Sequence, residues 1–248
     1  GCGCREAAEL EAFDIEDFIE SRKTYLDPGS EIALASVSLA IEAAALVEGT
    51  GLRNAALILG SALGAQQTVR LYWEDLYRKG PRRVKPLLFP NTYSNTAASR
   101  VAIEFGIAGP HMNFAGGFTA SAEALFAGIS MIHSGRTSVC LAGGYEVISE
   151  ALVAGYAELG LIASATSGEA GCYPFCTDVD GFLPGEGGGV LVLERAEAAE
   201  RRNAPVLGRI AGAGSAHVAP KGTAEGGQPY CEAVHAAMSQ AMDAGNIA

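Results

Sequence analysis

Residues 109–133 contain the sequence feature that most constrains the fold, a short apolar run followed by two glycines and a longer amphipathic pattern. The run from Met112 to Ala115 is short and apolar enough for a buried strand, and Gly116-Gly117 permits a tight turn. From Thr119 to His133 apolar residues recur on one side at helical spacing. The sequence therefore predicts a strand, a sharp turn and a helix.

Phe118 stands at the apex of this predicted turn. The side chain at such an apex points into a cavity, and its backbone N–H lies at the positive end of the following helix. Enzymes place a nucleophile at positions of this kind, but a phenylalanine ring has no nucleophilic atom. Phe118 therefore cannot act as one.

Strands and helices alternate along the rest of the chain. Short helices are predicted at 5–12 and 195–202, longer helices at 30–47, 66–78, 91–105, 149–159 and 230–244, strands at 54–60, 137–143 and 206–213, and a glycine-rich hairpin at 181–194. This alternation predicts an α/β protein with helices on both faces of a sheet.

Composition and charge exclude several classes of partner. The chain has 248 residues, is 49% hydrophobic and only 18% charged, which predicts that part of its surface is buried against another protein. A net charge of −11 argues against nucleic acid and against an anionic membrane. No apolar run approaches the roughly 20 residues of a membrane span, and no secretory leader is recognised, so we expect a cytoplasmic protein.

The six cysteines are scattered, and we expect neither a metal nor a cofactor. Cys172 and Cys176 are separated by three residues, a spacing that matches no common zinc motif. The glycine-rich turn after the predicted strand at 54–60 has neither a G-x-G-x-x-G pattern nor a Walker lysine, which argues against a nucleotide.

Three motifs, in order, resemble the β-ketoacyl-acyl-carrier-protein synthases. Gly109-Pro110 is followed by seven residues and then Phe118, at the position where this family usually has its cysteine. The glycine-rich segment at 180–194, preceded by Pro174-Phe175, is similar to a later family motif, and so is the stretch at 91–106. The likeness extends over residues 11–248.

The resemblance implies the thiolase-like layered fold (αβαβα), which in this family has two similar halves. The sequence matches one half only, the N-terminal half, and lacks a counterpart of the usual first strand, so residues 1–248 are expected to form a single incomplete domain. No internal repeat replaces the second half.

The resemblance also implies which chemistry is missing. A condensing enzyme of this family is expected to use a thiolate and two histidines, and the histidines belong to the second half. No cysteine lies between Cys4 and Cys140, so no shift in alignment supplies the thiolate. The hydroxyls of Thr119 and Ser121 have no histidine close by in sequence to act as a base. We therefore expect no catalytic residue in this chain.

A family relative without the cysteine is the chain-length-factor partner of aromatic polyketide synthases, which shapes the acyl tunnel of an active ketosynthase. By this resemblance Gly116, Gly117, Phe118 and Thr119 form the turn at an acyl tunnel, and Asn113 and Phe114 lie at the seam of a homo- or heterodimer. The basic residues Arg82, Arg83 and Lys85 are a weaker prediction for docking an acidic acyl carrier protein.

Three functions remain open at this point. The first is a non-condensing, ketosynthase-like subunit that works with an active ketosynthase and an acyl carrier protein in fatty acid or polyketide synthesis. The second is half of a β-ketoacyl synthase, an acyltransferase that performs decarboxylative Claisen condensation once another chain completes it. The third is a degenerate thiolase-fold protein with a purely structural role. Whether the chain is an enzyme is therefore undecided.

Overall fold

A computed structural model describes residues 7–21, 23–46, 51–163, 181–218 and 228–246. The chain divides into two compact units, residues 1–195 and residues 196–248. The expectation of a single domain stays a prediction. No helix among the described residues is both long and apolar enough to cross a lipid bilayer.

The described residues of the first unit form one sheet and five α-helices. The strands are β1 (Ala56–Ser61), β2 (His111–Ala115), β3 (Val139–Glu146) and β4 (Gly187–Glu194). The helices are α1 (Pro28–Ala43), α2 (Gln66–Lys79), α3 (Thr96–Glu104), α4 (Ala120–His133) and α5 (Glu150–Glu158). Single 3-10 turns lie at Ile15–Asp17, Leu52–Asn54, Phe89–Asn91 and Gly117–Thr119.

The four strands are arranged in the order β2-β1-β3-β4. Strand β1 pairs in parallel with β2 and β3, whereas β4 runs antiparallel to β3. The predicted hairpin at 181–194 is therefore wrong, because its glycine-rich part is one strand. Among the described residues β1 is the first strand in the chain, and Ala8 forms only an isolated bridge with Gly185.

The two faces of the sheet are covered by different helices. Leu57, Leu59 and Leu141 are fully buried in a large cluster with residues of α1 and α3. Ile58 and Cys140 belong to a smaller cluster with residues of α4. Odd and even positions of a strand face opposite sides of a sheet, so helices lie on both faces, as the alternation predicted.

Local sequence explains where α1 begins. Asp27 caps the helix, its carboxylate accepting a hydrogen bond from the Gly29 amide at 3.0 Å, and Pro28 occupies the first turn, where a missing N–H costs nothing. Both ends differ from the predicted range of 30–47. At the amino terminus, residues 7–12 are not helical, so the predicted short helix at 5–12 is wrong over its described part.

Where the structure describes the second unit, it has two helices, α6 (Ala196–Arg201) and α7 (Gln228–Gly245), as predicted apart from their ends. The predicted strand at 206–213 does not form. A Cβ at Gly212 or Gly214 would lie 2.0 Å from the carbonyl oxygen of Ala241 or Ala237, respectively. The segment is therefore placed by close contact of its glycines with the backbone of α7 instead of by strand pairing.

Candidate functional site

The carboxyl ends of β1 and β3 meet the first turn of α4. A Cβ on Gly60 would lie 2.3 Å from the carbonyl carbon of Ala120, and a Cβ on Gly144 would lie 2.6 Å from the Cβ of Ser121. Only glycine permits such a close approach between a strand and a helix. These two glycines therefore fix where α4 begins.

The turn before α4 has the predicted strand-turn-helix form. Gly117 has φ of +74°, which favours glycine, and its amide donates to the Ala62 carbonyl at 3.3 Å. The Thr119 hydroxyl donates to Glu123 at 2.8 Å, in the first turn of the helix. Phe118 lies between them and is 67% exposed.

A cavity of about 550 Å³ lies beside this turn, at the carboxyl ends of β1 and β3. This volume falls within the usual range for ligand pockets, roughly 300–1,000 Å³. Its wall consists largely of glycine, alanine and leucine, including Leu125, Leu152 and Leu191. Gly117 and Phe118 line it, whereas Gly116 and Thr119 do not. The assignment of this turn to an acyl tunnel stays a prediction.

Three aromatic rings meet at the cavity. The ring of Phe118 stacks on that of Tyr156 with centroids 5.1 Å apart and planes 19° apart. Phe182 meets Phe118 edge-on at 5.8 Å and Tyr156 at 5.3 Å. All three residues line the cavity, and stacked and edge-on pairs of this kind are favourable. We call these three residues the ring cluster.

A buried carboxyl group also lines the cavity. Glu146 accepts a hydrogen bond from the Ala62 amide at 2.5 Å, yet burial raises its pKa above the ordinary value of 4.5. Burial also raises the pKa of Tyr156, and the negative charge of Glu146 raises it further. The cavity is therefore apolar with one ionisable carboxyl group.

The described lining of the cavity contains no cysteine and no histidine. Cys140 is fully buried in the sheet, and burial raises the pKa of its thiol to about 12, so it stays protonated and unreactive. The Ser61 hydroxyl lines the cavity and accepts a hydrogen bond from the Gly64 amide at 2.9 Å. The Ser121 side chain also lines the cavity, and no histidine in the described lining could act as its base.

Other polar residues of the chain have structural or surface positions. Glu186 accepts hydrogen bonds from the backbone amides of Leu10 at 2.9 Å and Ile148 at 3.3 Å, both distant from it in sequence. All four histidines are exposed. Asp180 and the pair Cys172 and Cys176 lie outside the described residues.

Strand β2, which carries the predicted dimer seam, lies at one edge of the sheet. Asn113 pairs in register with Leu59, and Phe114 with Gly60. Both residues are half-buried, and the side-chain amide of Asn113 has no hydrogen-bond partner on either atom. Buried amides without partners are rare and destabilising. No described strand covers the outer edge of β2.

The basic residues Arg82, Arg83 and Lys85 are exposed in the loop after α2. Within this loop the Arg83 amide donates to the Gly80 carbonyl at 3.1 Å, and the Lys85 amide to Asp75 at 3.2 Å. The loop backbone is thus tied to the end of α2, and the three cationic side chains project into solvent.

Sequence reasoning missed Tyr156, Phe182 and Glu146 as residues of the cavity. Phe182 lies in the glycine-rich segment at 180–194 and Tyr156 has no local signal, because the ring cluster joins three segments that are distant in sequence. Glu146 is the last residue of β3, and the carboxyl ends of parallel strands are where side chains reach a site. Its position at the end of a strand was the sequence signal that could have identified Glu146.

Comparison with known proteins defines the class. Residues 6–199 match the family model described as β-ketoacyl synthase, N-terminal domain. The chain is 29% identical over 243 residues to 3-oxoacyl-[acyl-carrier-protein] synthase 2 of Staphylococcus aureus (strain N315), covering 95% of this chain and 58% of the relative. It is 26% identical over 217 residues to the chloroplastic 3-oxoacyl-[acyl-carrier-protein] synthase I of Hordeum vulgare, covering 84% and 47%.

Solved structures agree with this assignment. The ishigamide ketosynthase/chain length factor superposes with a TM-score of 0.86 at 23% identity, over all of this chain and 60% of that one. A type II polyketide synthase acyl carrier protein in complex with its ketosynthase matches with a TM-score of 0.76 at 26% identity, over 90% and 56%.

The chain belongs to the β-ketoacyl synthase family and has its thiolase-like α/β fold. Both predictions are confirmed. The chain spans about half to 60% of the length of the relatives described above.

Proposed function

We propose that this chain is a non-condensing, ketosynthase-like subunit that pairs with an active β-ketoacyl synthase in fatty acid or polyketide synthesis. The observation that carries the proposal is Phe118, which stands at the apex of the turn before α4 and lines the cavity. Condensation requires a thiolate that holds the acyl group as a thioester, and a benzyl side chain cannot form one.

The walls of the cavity support a non-condensing role. The described lining contains no cysteine that could hold an acyl group as a thioester. The carboxyl group in this lining, that of Glu146, has a pKa raised by burial and already accepts a hydrogen bond from the Ala62 amide. A chain with this site contributes shape to an acyl tunnel, while the partner supplies the chemistry.

The outer edge of β2, which no described strand covers, supports pairing with another subunit. An uncovered edge strand presents unpaired backbone N–H and C=O groups and readily adds a strand from a second chain. Asn113 adds a side-chain amide without a partner, and Met112 on the same strand is 41% exposed. We place the dimer seam at Asn113 and Phe114, for either a homodimer or a heterodimer.

An acyl carrier protein is the second proposed partner. The exposed side chains of Arg82, Arg83 and Lys85 form a local positive patch on a chain with a net charge of −11. Such a patch attracts an acidic protein and increases its association rate. One structural neighbour is a ketosynthase in complex with its acyl carrier protein. The proposed setting is a reducing cytoplasm, in keeping with the free thiols of Cys140 and Cys231.

Copurification tests this function. The chain is expressed with a cysteine-bearing ketosynthase and an acyl carrier protein, and the purified complex is analysed by mass spectrometry for an acyl thioester on each chain. We expect the thioester on the ketosynthase alone. An acyl group covalently attached to this chain, or failure of the two subunits to copurify, contradicts the proposal.

A matched pair of variants sharpens the test. Phe118→Cys restores a thiol at the apex, and Ser121→Cys places a thiol three residues later as a control. If position 118 corresponds to the nucleophile of the family, only Phe118→Cys acquires an acyl group from acyl carrier protein. Equal labelling of both variants contradicts that equivalence.

The match of residues 6–199 to the β-ketoacyl synthase N-terminal domain favours a second candidate. The chain would then be half of a β-ketoacyl synthase that another polypeptide completes. This candidate predicts condensation activity when the missing half is supplied as a separate chain. A degenerate structural protein, in contrast, would bind neither a ketosynthase nor an acyl carrier protein.

A further inference from the structure

Three segments that are distant in sequence are joined at Ala62, the first residue after β1. The Glu146 carboxylate, at the end of β3, accepts a hydrogen bond from the Ala62 amide at 2.5 Å. The Ala62 carbonyl in turn accepts a hydrogen bond from the Gly117 amide at 3.3 Å. One residue therefore connects the end of β3 with the turn before α4.

The two hydrogen bonds differ in strength. The bond from Ala62 to Glu146 is short and ends on a carboxylate in a half-buried position, and bonds to a charged group are about twice as strong as neutral ones. The bond from Gly117 is longer and joins two neutral backbone groups. The second carboxylate oxygen of Glu146 lies 3.4 Å from the Val147 amide, which is long for a hydrogen bond. The Glu146 side chain is therefore held chiefly by Ala62.

The turn itself has few ties to the rest of the chain. Among the hydrogen bonds that the structure describes, the one from Gly117 to Ala62 is the one that joins residues 116–119 to a segment other than α4. Gly117 has φ of +74°, and a Cβ there would have no atom within 4 Å. The height of the turn above the sheet therefore depends on Ala62.

We propose that Glu146 is a positioning residue for position 118 and acts through Ala62. Its carboxylate fixes the Ala62 backbone, and Ala62 fixes Gly117, the residue just before the apex. Loss of the carboxylate releases the turn without removing any group from it. The inference rests on the proposed function, in which the position of residue 118 determines the shape that this chain contributes to a complex.

A purely electrostatic role for Glu146 makes a different prediction. The negative charge of Glu146 raises the pKa of Tyr156, whose ring stacks on Phe118, so the charge acts close to the apex. Glutamine removes this charge but keeps an oxygen that can accept from the Ala62 amide, whereas alanine removes both. The pair Glu146→Gln and Glu146→Ala therefore separates hydrogen bonding from charge.

Hydrogen exchange of the Gly117 amide, followed by NMR on the full chain, tests the position of the turn. We expect Glu146→Ala to increase its exchange rate about tenfold, because the strong bond that holds Ala62 is lost. Glu146→Gln should increase it by no more than about threefold, because a neutral acceptor remains.

Two controls accompany the exchange measurement. The amide of Ile58, which is fully buried in β1, reports on opening of the whole sheet and should exchange at the wild-type rate in both variants. Glu150→Ala removes an exposed carboxylate from the first turn of α5 that does not line the cavity, and it should leave Gly117 unchanged.

A thiol at position 118 supplies a second readout, one that a general loss of stability does not produce. In Phe118→Cys the thiol lies just before α4, where the end of a helix lowers the pKa of a thiol. The pH dependence of alkylation by iodoacetamide, followed by mass spectrometry of the peptide that contains residue 118, measures that pKa. Adding Glu146→Gln should lower the thiol pKa by about 0.5, because a negative charge is removed while the turn stays in place. Adding Glu146→Ala should raise it by about 0.5, because the thiol moves away from the helix end.

Three outcomes would overturn the inference. The first is equal Gly117 exchange in the wild type and both Glu146 variants. The second is equal acceleration at Gly117 and Ile58, which would show a general loss of stability. The third is a thiol pKa that falls equally with glutamine and alanine, which would leave Glu146 an electrostatic role alone. Because the chain is measured without a ketosynthase or a carrier protein, failure to copurify would reject the proposed function without changing these results.

Discussion

The two faces of the sheet show how one set of strands supports both a stable core and a cavity. The face toward α1 and α3 is built from large aliphatic side chains that are fully buried. The face toward α4 is built mainly from small residues, among them Ala56, Gly60, Cys140, Ala142 and Gly144. Neighbouring residues of the same strand therefore contribute to the core on one face and to the cavity on the other.

This difference between the faces explains why the cavity lies on the side of the sheet toward α4. Large side chains at close packing leave no room between a sheet and its helices. Small residues let the first turn of α4 approach β1 and β3 closely, and the volume that they do not fill remains as the cavity beside Phe118. Substitutions on the first face should change stability, and those on the second should change the site.

The largest effect on stability is expected from Leu57→Ala, on the face of the sheet toward α1 and α3. Leu57 is fully buried, and truncation leaves a cavity, so the free energy of unfolding should fall by about 3–4 kcal/mol. The control is Leu191→Ala on the face toward α4. Its side chain is 47% exposed, so the free energy of unfolding should fall by about 1 kcal/mol or less. Urea denaturation measures both, and equal losses would contradict the comparison.

The next effect is expected from Gly60→Ala, which adds a methyl group between β1 and α4. The new Cβ would overlap the backbone of Ala120, so the helix must shift, at a cost of about 2–3 kcal/mol. Gly189→Ala is the matched control in β4, because no atom lies within 4 Å of its added Cβ. Thermal unfolding of the pair tests this, and a similar Tm for both variants would be inconsistent with close packing at Gly60.

A smaller, pH-dependent effect is expected from Glu146→Gln. Burial raises the pKa of Glu146 in the folded chain, so its carboxyl group favours folding below the ordinary pKa of 4.5, and this contribution is lost as pH increases through the folded-state pKa. Glutamine carries no charge at any pH. The stability of the variant relative to wild type should therefore increase from acid to neutral pH, and parallel pH profiles would disprove this.

The smallest effect on stability is expected from Phe118→Ala. The ring is 67% exposed, so its removal should cost no more than about 1 kcal/mol, the contribution of its aromatic contacts. A loss comparable to that of Leu57→Ala would show that Phe118 is a core residue. Urea denaturation under the conditions used for Leu57→Ala provides the comparison.

Much of the first unit was predictable because its signals are local. The apolar runs and helical periodicity located β1, β2, β3, α2, α4 and α5 to within a few residues. The glycine-rich segment of β4 was misread as a hairpin. A Cβ on Gly143 would lie 2.1 Å from the Gly189 carbonyl oxygen, so glycine there permits close strand pairing, and no residue pattern distinguishes that role from a turn.

The candidate site was predictable only in part. The turn at Gly117 and Phe118 was identified from its neighbours in sequence. The dimer seam at Asn113 was implied by the family resemblance and stays a prediction. Tyr156 and Phe182 come from other segments, and they meet Phe118 only because α5 and the segment before β4 fold over the strand ends. Glu146 lines the same cavity from the end of β3.

The sequence by itself determined which chemistry position 118 lacks, because the capacity to form a thioester depends on the identity of a side chain and a benzyl group does not have it. It also determined the family through motifs in a fixed order. Only the tertiary structure decided that Phe118 is held by two distant rings at the opening of a cavity. Contacts between segments far apart in sequence depend on how helices and strands pack, and packing leaves no periodic signal in the chain.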